Sequence, residues 1–119
     1  KEFGPTILWP IRISIDFDEV EWVIERCYGP QGEWREIHRI AGQLDTDFTE
    51  VIGADPEAPL TGQQMCEFIA AEFKRQTGEE IDPKAIWEAS PTGELAHVFE
   101  LYAIAKCQSD LSVLRRLAS

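Results

Sequence analysis

Residues 11–17 alternate strictly between apolar and polar side chains, and this period constrains the fold more than any other stretch of the chain. The apolar side of the alternation consists of Ile11, Ile13, Ile15 and Phe17. A period of two residues predicts a β-strand with one buried face. Because one strand alone has no pairing partner, a second strand is needed, and residues 47–52 favour it. That segment also fits a helix start, so strand and helix both stay open there.

After residue 18 the apolar period changes from two residues to that of a helix. One set of apolar residues at helical spacing is Val20, Val23, Ile24 and Cys27. It predicts a helix that begins at Asp18 and ends before Gly29. A second set is Trp34, Ile37, Ile40, Ala41 and Leu44. This set predicts another helix.

The C-terminal half carries clear helix signals. Thr61 with Gln64 forms a capping-box pattern, and Gly78 is placed to end the helix that follows. Further helices are predicted from Asp82, Ser90 and Ser109, and the one from Ser90 is apolar on most sides. The sequence therefore predicts an α+β, helix-dominated fold. It would be a compact helical domain with a small β element on its N-terminal side.

The length of 119 residues fits one globular domain, predicted over residues 11–119. Residues 1–10 are interpreted as an N-terminal extension or a cloning remnant. No apolar stretch approaches the roughly 20 residues of a membrane span, so no membrane association is predicted. Cys27, Cys66 and Cys107 are widely spaced and predict buried thiols in a cytoplasmic protein.

The chain is strongly acidic, with 22 acids, 11 bases and a net charge of −11. No base lies between Arg39 and Lys74. The acids in that interval are Asp45, Asp47, Glu50, Asp55, Glu57, Glu67 and Glu72. Such a surface repels phosphate backbones, which argues against direct nucleic-acid binding. It attracts a basic protein surface instead.

A separate acid cluster follows the first strand and reads Asp16-Phe17-Asp18-Glu19-Val20. It resembles D-x-D-x-[TV], the first motif of the haloacid-dehalogenase-like phosphatases. The resemblance implies that Asp16 is the nucleophile and a magnesium ligand, and that Asp18 is a general acid. The competing interpretation is structural: Asp18 would cap the predicted helix, and Glu21 would reach back to it.

Glu94, His97 and Glu100 fall on one polar stripe of a predicted helix, and Glu-x-x-His is half of a di-iron carboxylate site. A complete site needs a second such half, and His38 is the only other histidine. The stripe is therefore interpreted as a solvated helix face. No cofactor and no metal are predicted.

These patterns predict a non-enzymatic, acidic protein–protein interaction module. It would inhibit or neutralise a basic partner, such as a toxin or a nucleic-acid-binding protein, by mimicking nucleic-acid charge. The predicted contact residues are Asp45, Asp47, Glu50, Asp55 and Glu57, with Trp22 and Trp34 as apolar anchors. A homodimer stays an open alternative. The alternative function is a metal-dependent hydrolase or phosphatase that uses Asp16 and Asp18.

Overall fold

A computed structural model describes residues 6–7, 10–28, 32–41, 49–53, 58, 60–89, 95–107 and 110–118. The strands are β1 (Thr6–Ile7), β2 (Ile11–Asp16), β3 (Glu21–Tyr28), β4 (Glu33–Ala41), β5 (Glu50–Ile52) and β6 (Leu60–Thr61). The helices are α1 (Gly62–Thr77), α2 (Pro83–Glu88), α3 (Leu95–Cys107) and α4 (Ser112–Ala118). The contacts divide the described chain after residue 60 into a β unit and a helical unit.

The β unit is built on a four-stranded antiparallel sheet with the strand order β4-β3-β2-β5. Ile13 lies opposite Ile24, and Ile15 lies opposite Trp22, so these side chains share one face. Ile11, Ile13 and Ile24 are fully buried. The alternation that predicts β2 is thus confirmed over residues 11–16, whereas Phe17, predicted on the buried side, lies beyond the strand and is exposed. The short β1 and β6 form a separate two-stranded sheet.

The prediction of a helix-dominated fold is wrong, because the described residues are 33% strand alongside 46% helix. The two helices predicted between residues 18 and 44 are absent, and β3 and β4 occupy the described part of that region. In β3, Trp22, Val23 and Ile24 are all buried, so the strand does not alternate along its length. An inner strand that is covered on both faces imitates an apolar helix in sequence.

A β-bulge explains why β4 resembles a helix in sequence. Ile24 pairs with His38 but Glu25 pairs with Glu36, so Ile37 is an extra residue in β4. The extra residue reverses the alternation of side chains between the two faces. Apolar residues consequently recur at intervals of three along the strand, which is the spacing of a helix face.

The second strand predicted within 47–52 is confirmed for β5, which pairs antiparallel with β2. Ile52 lies opposite Ile11 and is buried. Residues 47 and 48 lie outside the described residues. The sheet partner that β2 requires is therefore supplied on one side by β5 and on the other by β3.

The helical unit follows its sequence signals closely. The side chain of Thr61 accepts from the backbone N–H of Gln64, and the Gln64 side chain accepts from the backbone N–H of Thr61. Gly78 ends α1 with a φ of 79° in the left-handed region, where glycine is favoured. Asp82 caps α2, whose first residue is Pro83. These predicted helix boundaries are confirmed.

The core of the helical unit is formed by one face of α1, most of α3, and buried residues of α2 and α4. Met65, Ile69 and Phe73 of α1 are fully buried, whereas Phe68 is 42% exposed. Among the α3 residues whose burial is described, the buried ones are Val98, Phe99, Leu101, Tyr102, Ala103 and Ala105. Among the described residues, no helix has both the length and the apolar character needed to cross a lipid bilayer.

Candidate functional site

The β2–β3 hairpin reverses through residues 17–20, and the side chain of Asp16 holds this turn. Asp16 Oδ1 accepts hydrogen bonds from the backbone N–H groups of Asp18, at 3.1 Å, and Glu19, at 3.2 Å. An aspartate that bonds the backbone two and three residues later stabilises a turn locally. We refer to residues 17–20 as the hairpin tip.

Arg39 on β4 ties the base of this hairpin together. Its Nη1 lies 3.0 Å from Asp16 Oδ2 and 3.1 Å from Glu21 Oε1, while its Nε lies 2.8 Å from Glu36 Oε1. Asp16 and Glu21 are directly opposite one another in the β2–β3 pairing. Because opposed like charges destabilise a sheet, Arg39 offsets a repulsion that the sequence builds into the hairpin.

The ionisation of Asp16 follows from this arrangement. The hydrogen bond from Arg39 lowers the pKa of Asp16, and the backbone N–H groups of Glu19 and Asp18 lower it further. The hydrogen bonds from Arg39 to Asp16, Glu36 and Glu21 raise the pKa of Arg39 above its already high ordinary value. The carboxylate of Asp16 is therefore ionised at neutral pH and committed to holding the turn.

The hairpin tip carries two exposed apolar side chains and a strained backbone. Phe17 is 56% exposed and Val20 is 52% exposed, and both are among the largest apolar exposures in the described chain. Val20 has a φ of 55°, the only positive φ among the described residues other than glycine. A β-branched residue in the left-handed region is a true outlier. Strain of this kind is tolerated where it positions a functional side chain.

Two carboxylates without a counter-ion accompany the exposed apolar pair. Asp18 and Glu19 are exposed, and neither side chain forms an ion pair within the described part of the chain. This contrasts with Asp16 and Glu21 at the base, which share Arg39. The hairpin tip therefore presents two apolar groups and two uncompensated negative charges on a turn held by Asp16.

The acids predicted as contact residues are only partly described. Glu50 lies on β5 and is half-buried. Asp45, Asp47, Asp55 and Glu57 lie outside the described residues. Of the other acids in the run without bases, Glu67 is exposed on α1 and Glu72 is buried. A contact surface made by the whole run stays a prediction.

The two tryptophans predicted as anchors lie in different environments. Trp22 is 2% exposed and belongs to the core of the sheet. Trp34 is half-buried on β4, and the guanidinium of Arg12 lies 4.4 Å from the centre of its ring. Arg12 also forms an ion pair with Glu25 at 2.9 Å. Stacking between Arg12 and Trp34 occupies a ring face that an anchor would offer to a partner.

The structure gives the Asp16–Asp18 motif a role that neither sequence interpretation describes. Asp18 does not cap a helix, because residues 21–28 form β3. Asp16 instead accepts hydrogen bonds from the backbone N–H groups of the turn. The motif lies in a turn between antiparallel strands. All the described pairings in this sheet are antiparallel.

The remaining sequence candidates do not form a site in the described chain. On α3, His97 is half-buried and Glu100 is exposed, while Glu94 lies outside the description. No three histidine, cysteine or acidic side chains among the described residues are grouped as metal ligands. Cys66 is fully buried, and this burial, reinforced by nearby Glu67, raises the pKa of its thiol to about 12.

The sequence patterns do not identify Phe17, Val20 and Arg39 as members of the candidate site. The available signal was Phe17 at the end of the alternating run, where its neighbours on both sides are acids. Comparison with known proteins adds no further assignment. No protein-family model matches the chain, and no curated protein and no solved structure gives a significant match.

Proposed function

We propose that this protein is an acidic interaction module that binds a basic surface on a partner protein. It would act in the cytoplasm as an inhibitor or neutraliser, by occupying a surface that otherwise binds nucleic acid or performs a toxic activity. The observation that carries the proposal is the hairpin tip. There Phe17 and Val20 are exposed beside the uncompensated charges of Asp18 and Glu19.

This combination of groups suits a protein partner. Protein interfaces join a small apolar centre to a polar rim, and aromatic anchors contribute most of the binding free energy. Phe17 and Val20 would supply the centre, and Asp18 and Glu19 would pair with lysine or arginine at the rim. A phosphate backbone would be repelled by the same carboxylates.

The hydrogen bonds and ion pairs of the hairpin support a binding role, because an ordered loop loses less conformational entropy on binding. Asp16 fixes the turn through two backbone hydrogen bonds, and Arg39 joins Asp16 to Glu21 and Glu36. A loop that already holds its bound conformation loses less freedom on association. The strained φ of Val20 is consistent with selection for presentation of its side chain.

The acidic run would act mainly on the rate of encounter. The net charge of −11 steers a basic partner over distances beyond direct contact. Asp45, Asp47, Glu50, Asp55 and Glu57 remain the proposed contributors to this field. The hairpin tip would then provide the short-range contact.

No observation favours the hydrolase alternative. Asp16, the nucleophile in that interpretation, is already bonded to Arg39 and to two backbone N–H groups. A carboxylate with a lowered pKa and a fixed cationic partner is a weak nucleophile and a poor proton acceptor.

The proposal is tested by photo-crosslinking from the hairpin tip. A benzophenone amino acid in place of Phe17 should capture a basic protein from cell extract, which mass spectrometry identifies. The same group in place of Val51, an exposed residue on β5, is the matched control and should not capture it.

The captured protein is then purified, and its affinity is measured by calorimetry against the unlabelled chain. Phe17→Ala should weaken binding about tenfold or more, as expected for an interface anchor. Val51→Ala should leave the affinity unchanged. Equal affinities for the Phe17→Ala variant and the unmodified chain would overturn the proposal.

A further inference from the structure

A groove in the helical unit lies between α1 and the segment that leads into α2. Its volume is about 520 Å³. Its apolar lining is made of short or compact side chains: Ala70, Ala71, Ile81 and Pro83. Its charged lining consists of Glu67, Glu80, Asp82 and Lys74. Three carboxylates against one ammonium give the groove a net negative charge.

Among the described lining residues, the one base is Lys74, and it is held by an exposed ion pair. Lys74 Nζ lies 2.7 Å from Glu80 Oε1, and the two side chains are 59% and 75% exposed. This hydrogen bond raises the pKa of Lys74 and lowers that of Glu80. Exposed pairs of this kind contribute little to stability, so Glu80 can exchange Lys74 for another cation.

The other two carboxylates keep acceptor capacity for a ligand. Asp82 Oδ1 accepts from the backbone N–H of Lys84 at 3.0 Å as the cap of α2. Glu67 Oε2 accepts from Gln63 Nε2 at 3.2 Å. An ionised carboxylate offers about four acceptor positions, so each retains free lone pairs after these bonds.

We propose that this groove binds an arginine or lysine side chain presented by a linear peptide segment. The aliphatic stem of the side chain would lie along Ala70, Ala71 and Pro83, and its cationic head would displace Lys74 from Glu80. Long basic side chains pair an apolar stem with a charged head in this way. Charge-assisted hydrogen bonds to carboxylates are the strongest available for such a head.

This site goes beyond the hairpin proposal, since every lining residue belongs to the helical unit. The groove recognises one extended side chain, whereas the hairpin tip is proposed to contact a folded surface. The two proposals can therefore fail separately. Phe17→Ala is expected to leave peptide binding in the groove unchanged.

The test is a titration of the isotope-labelled full chain, followed by amide NMR, with the blocked peptide Ac-Gly-Ala-Arg-Ala-Gly-NH2. Two matched peptides carry Gln or Glu in place of Arg. The arginine peptide should shift the amides of Glu67, Ala71 and Ile81, and the other two peptides should not. Equal shifts with the glutamine peptide would show that no cation is recognised and would overturn the proposal.

Single substitutions in the groove should change the peptide affinity in predicted directions. A non-specific charge effect would instead be as large for substitutions outside the groove. Lys74→Ala removes the competitor for Glu80 and should tighten binding about threefold, the scale of an exposed ion pair. Glu80→Gln should weaken it by a similar factor. The matched controls on α2, Lys84→Ala and Glu88→Gln, change charge equally outside the groove lining and should have smaller effects.

A filled groove provides a test that does not depend on charge. Ala71→Leu places a larger apolar side chain in the groove and should reduce peptide binding at least tenfold, while the amide spectrum remains that of a folded chain. Unchanged binding by Ala71→Leu, or equal effects of Lys74→Ala and Lys84→Ala, would overturn the assignment.

Discussion

Val20 combines an unfavourable backbone conformation with an exposed apolar side chain, so stability and binding make opposite demands on this residue. Val20→Gly removes the steric conflict at positive φ. We expect it to raise the free energy of unfolding by about 1 kcal/mol, measured by urea denaturation. The same substitution should weaken partner binding, because the apolar contact is lost.

Val51→Gly is the matched control for this prediction. Val51 is also exposed, but it lies in β5 with no positive φ. Glycine there should lower the free energy of unfolding by about 1 kcal/mol, since it adds freedom to the unfolded chain. If both substitutions destabilise the protein equally, Val20 stores no strain.

Arg39 is the residue on which the ionisation of the hairpin base depends. Arg39→Ala should raise the pKa of Asp16 towards its ordinary value, as followed by the carboxyl carbon shift in an NMR pH titration. Arg35→Ala is the control, because Arg35 pairs with Glu33 and not with Asp16. An unchanged pKa of Asp16 in the Arg39 variant would contradict the described ion pairs.

The sign of the pH dependence follows from the same shift. The folded-state pKa of Asp16 lies below the unfolded-state value of 3.8, so its stabilising contribution is present above that value. The contribution is lost as the pH falls through the folded-state pKa. In Arg39→Ala the two pKa values approach each other, and this part of the acid sensitivity should diminish.

At the scale of elements, Glu72 connects α1 to α3. It is 8% exposed, accepts two hydrogen bonds from Arg75 at 2.7 and 2.9 Å, and lies 3.2 Å from Lys106 Nζ. The bonds from Arg75, opposed by burial and assisted by Lys106, lower the pKa of Glu72 from 4.5 to about 2. This cluster is the main charged contact between the two helices in the described chain.

Glu72→Gln should lower the free energy of unfolding by about 2 kcal/mol at neutral pH, because charge-assisted hydrogen bonds are lost in a buried position. The contribution of Glu72 is complete above pH 4.5 and disappears as the pH falls towards 2. The variant and the unmodified chain should therefore converge in stability at acid pH. Glu67→Gln, on the exposed side of α1, is the control and should change stability little.

The sequence predicts some elements better than others. The reason is that some elements are determined by neighbouring residues and others by contacts with distant strands. α1 and α2 carry their own start and stop signals in Thr61, Gly78 and Asp82, which act within a few residues. β3 and β4 depend on burial of both faces of an inner strand and on a bulge at Ile37. Neither feature is encoded by local periodicity, so both strands imitate helices.

The candidate site was predictable only as a cluster of acids. The spacing of Asp16 and Asp18 predicted a motif or a helix cap. The position of Asp16 depends instead on Arg39, which follows 23 residues later in the chain. The exposure of Phe17 and the φ of Val20 arise from the β2–β3 hairpin. The helical spacing of the apolar residues that follow predicted a helix in place of the second strand of that hairpin. Because the segment after residue 18 was predicted as a helix, neither β3 nor the hairpin tip was predicted.

At the scale of the whole molecule, charge and apolar contact are expected to act at different stages of binding. The negative charge of the chain, most strongly the charges of Asp18 and Glu19 beside the contact, should govern the rate of association, and Phe17 should govern the rate of dissociation. The association rate should fall steeply with ionic strength, since the screening length shortens to about 8 Å at physiological salt. Phe17→Ala should leave that salt dependence unaltered.

The most direct test of the interaction proposal is the association rate constant with the purified partner that photo-crosslinking identifies. It is measured by stopped-flow fluorescence at a series of salt concentrations. The hairpin double variant carries Asp18→Lys and Glu19→Lys. The helical double variant, which carries Glu88→Lys and Glu100→Lys, makes the same charge change on exposed residues of α2 and α3. We expect the hairpin variant to associate much more slowly and with a weaker salt dependence than the helical variant. Equal rates for the two variants at every salt concentration would contradict the assignment of the hairpin tip as the binding site.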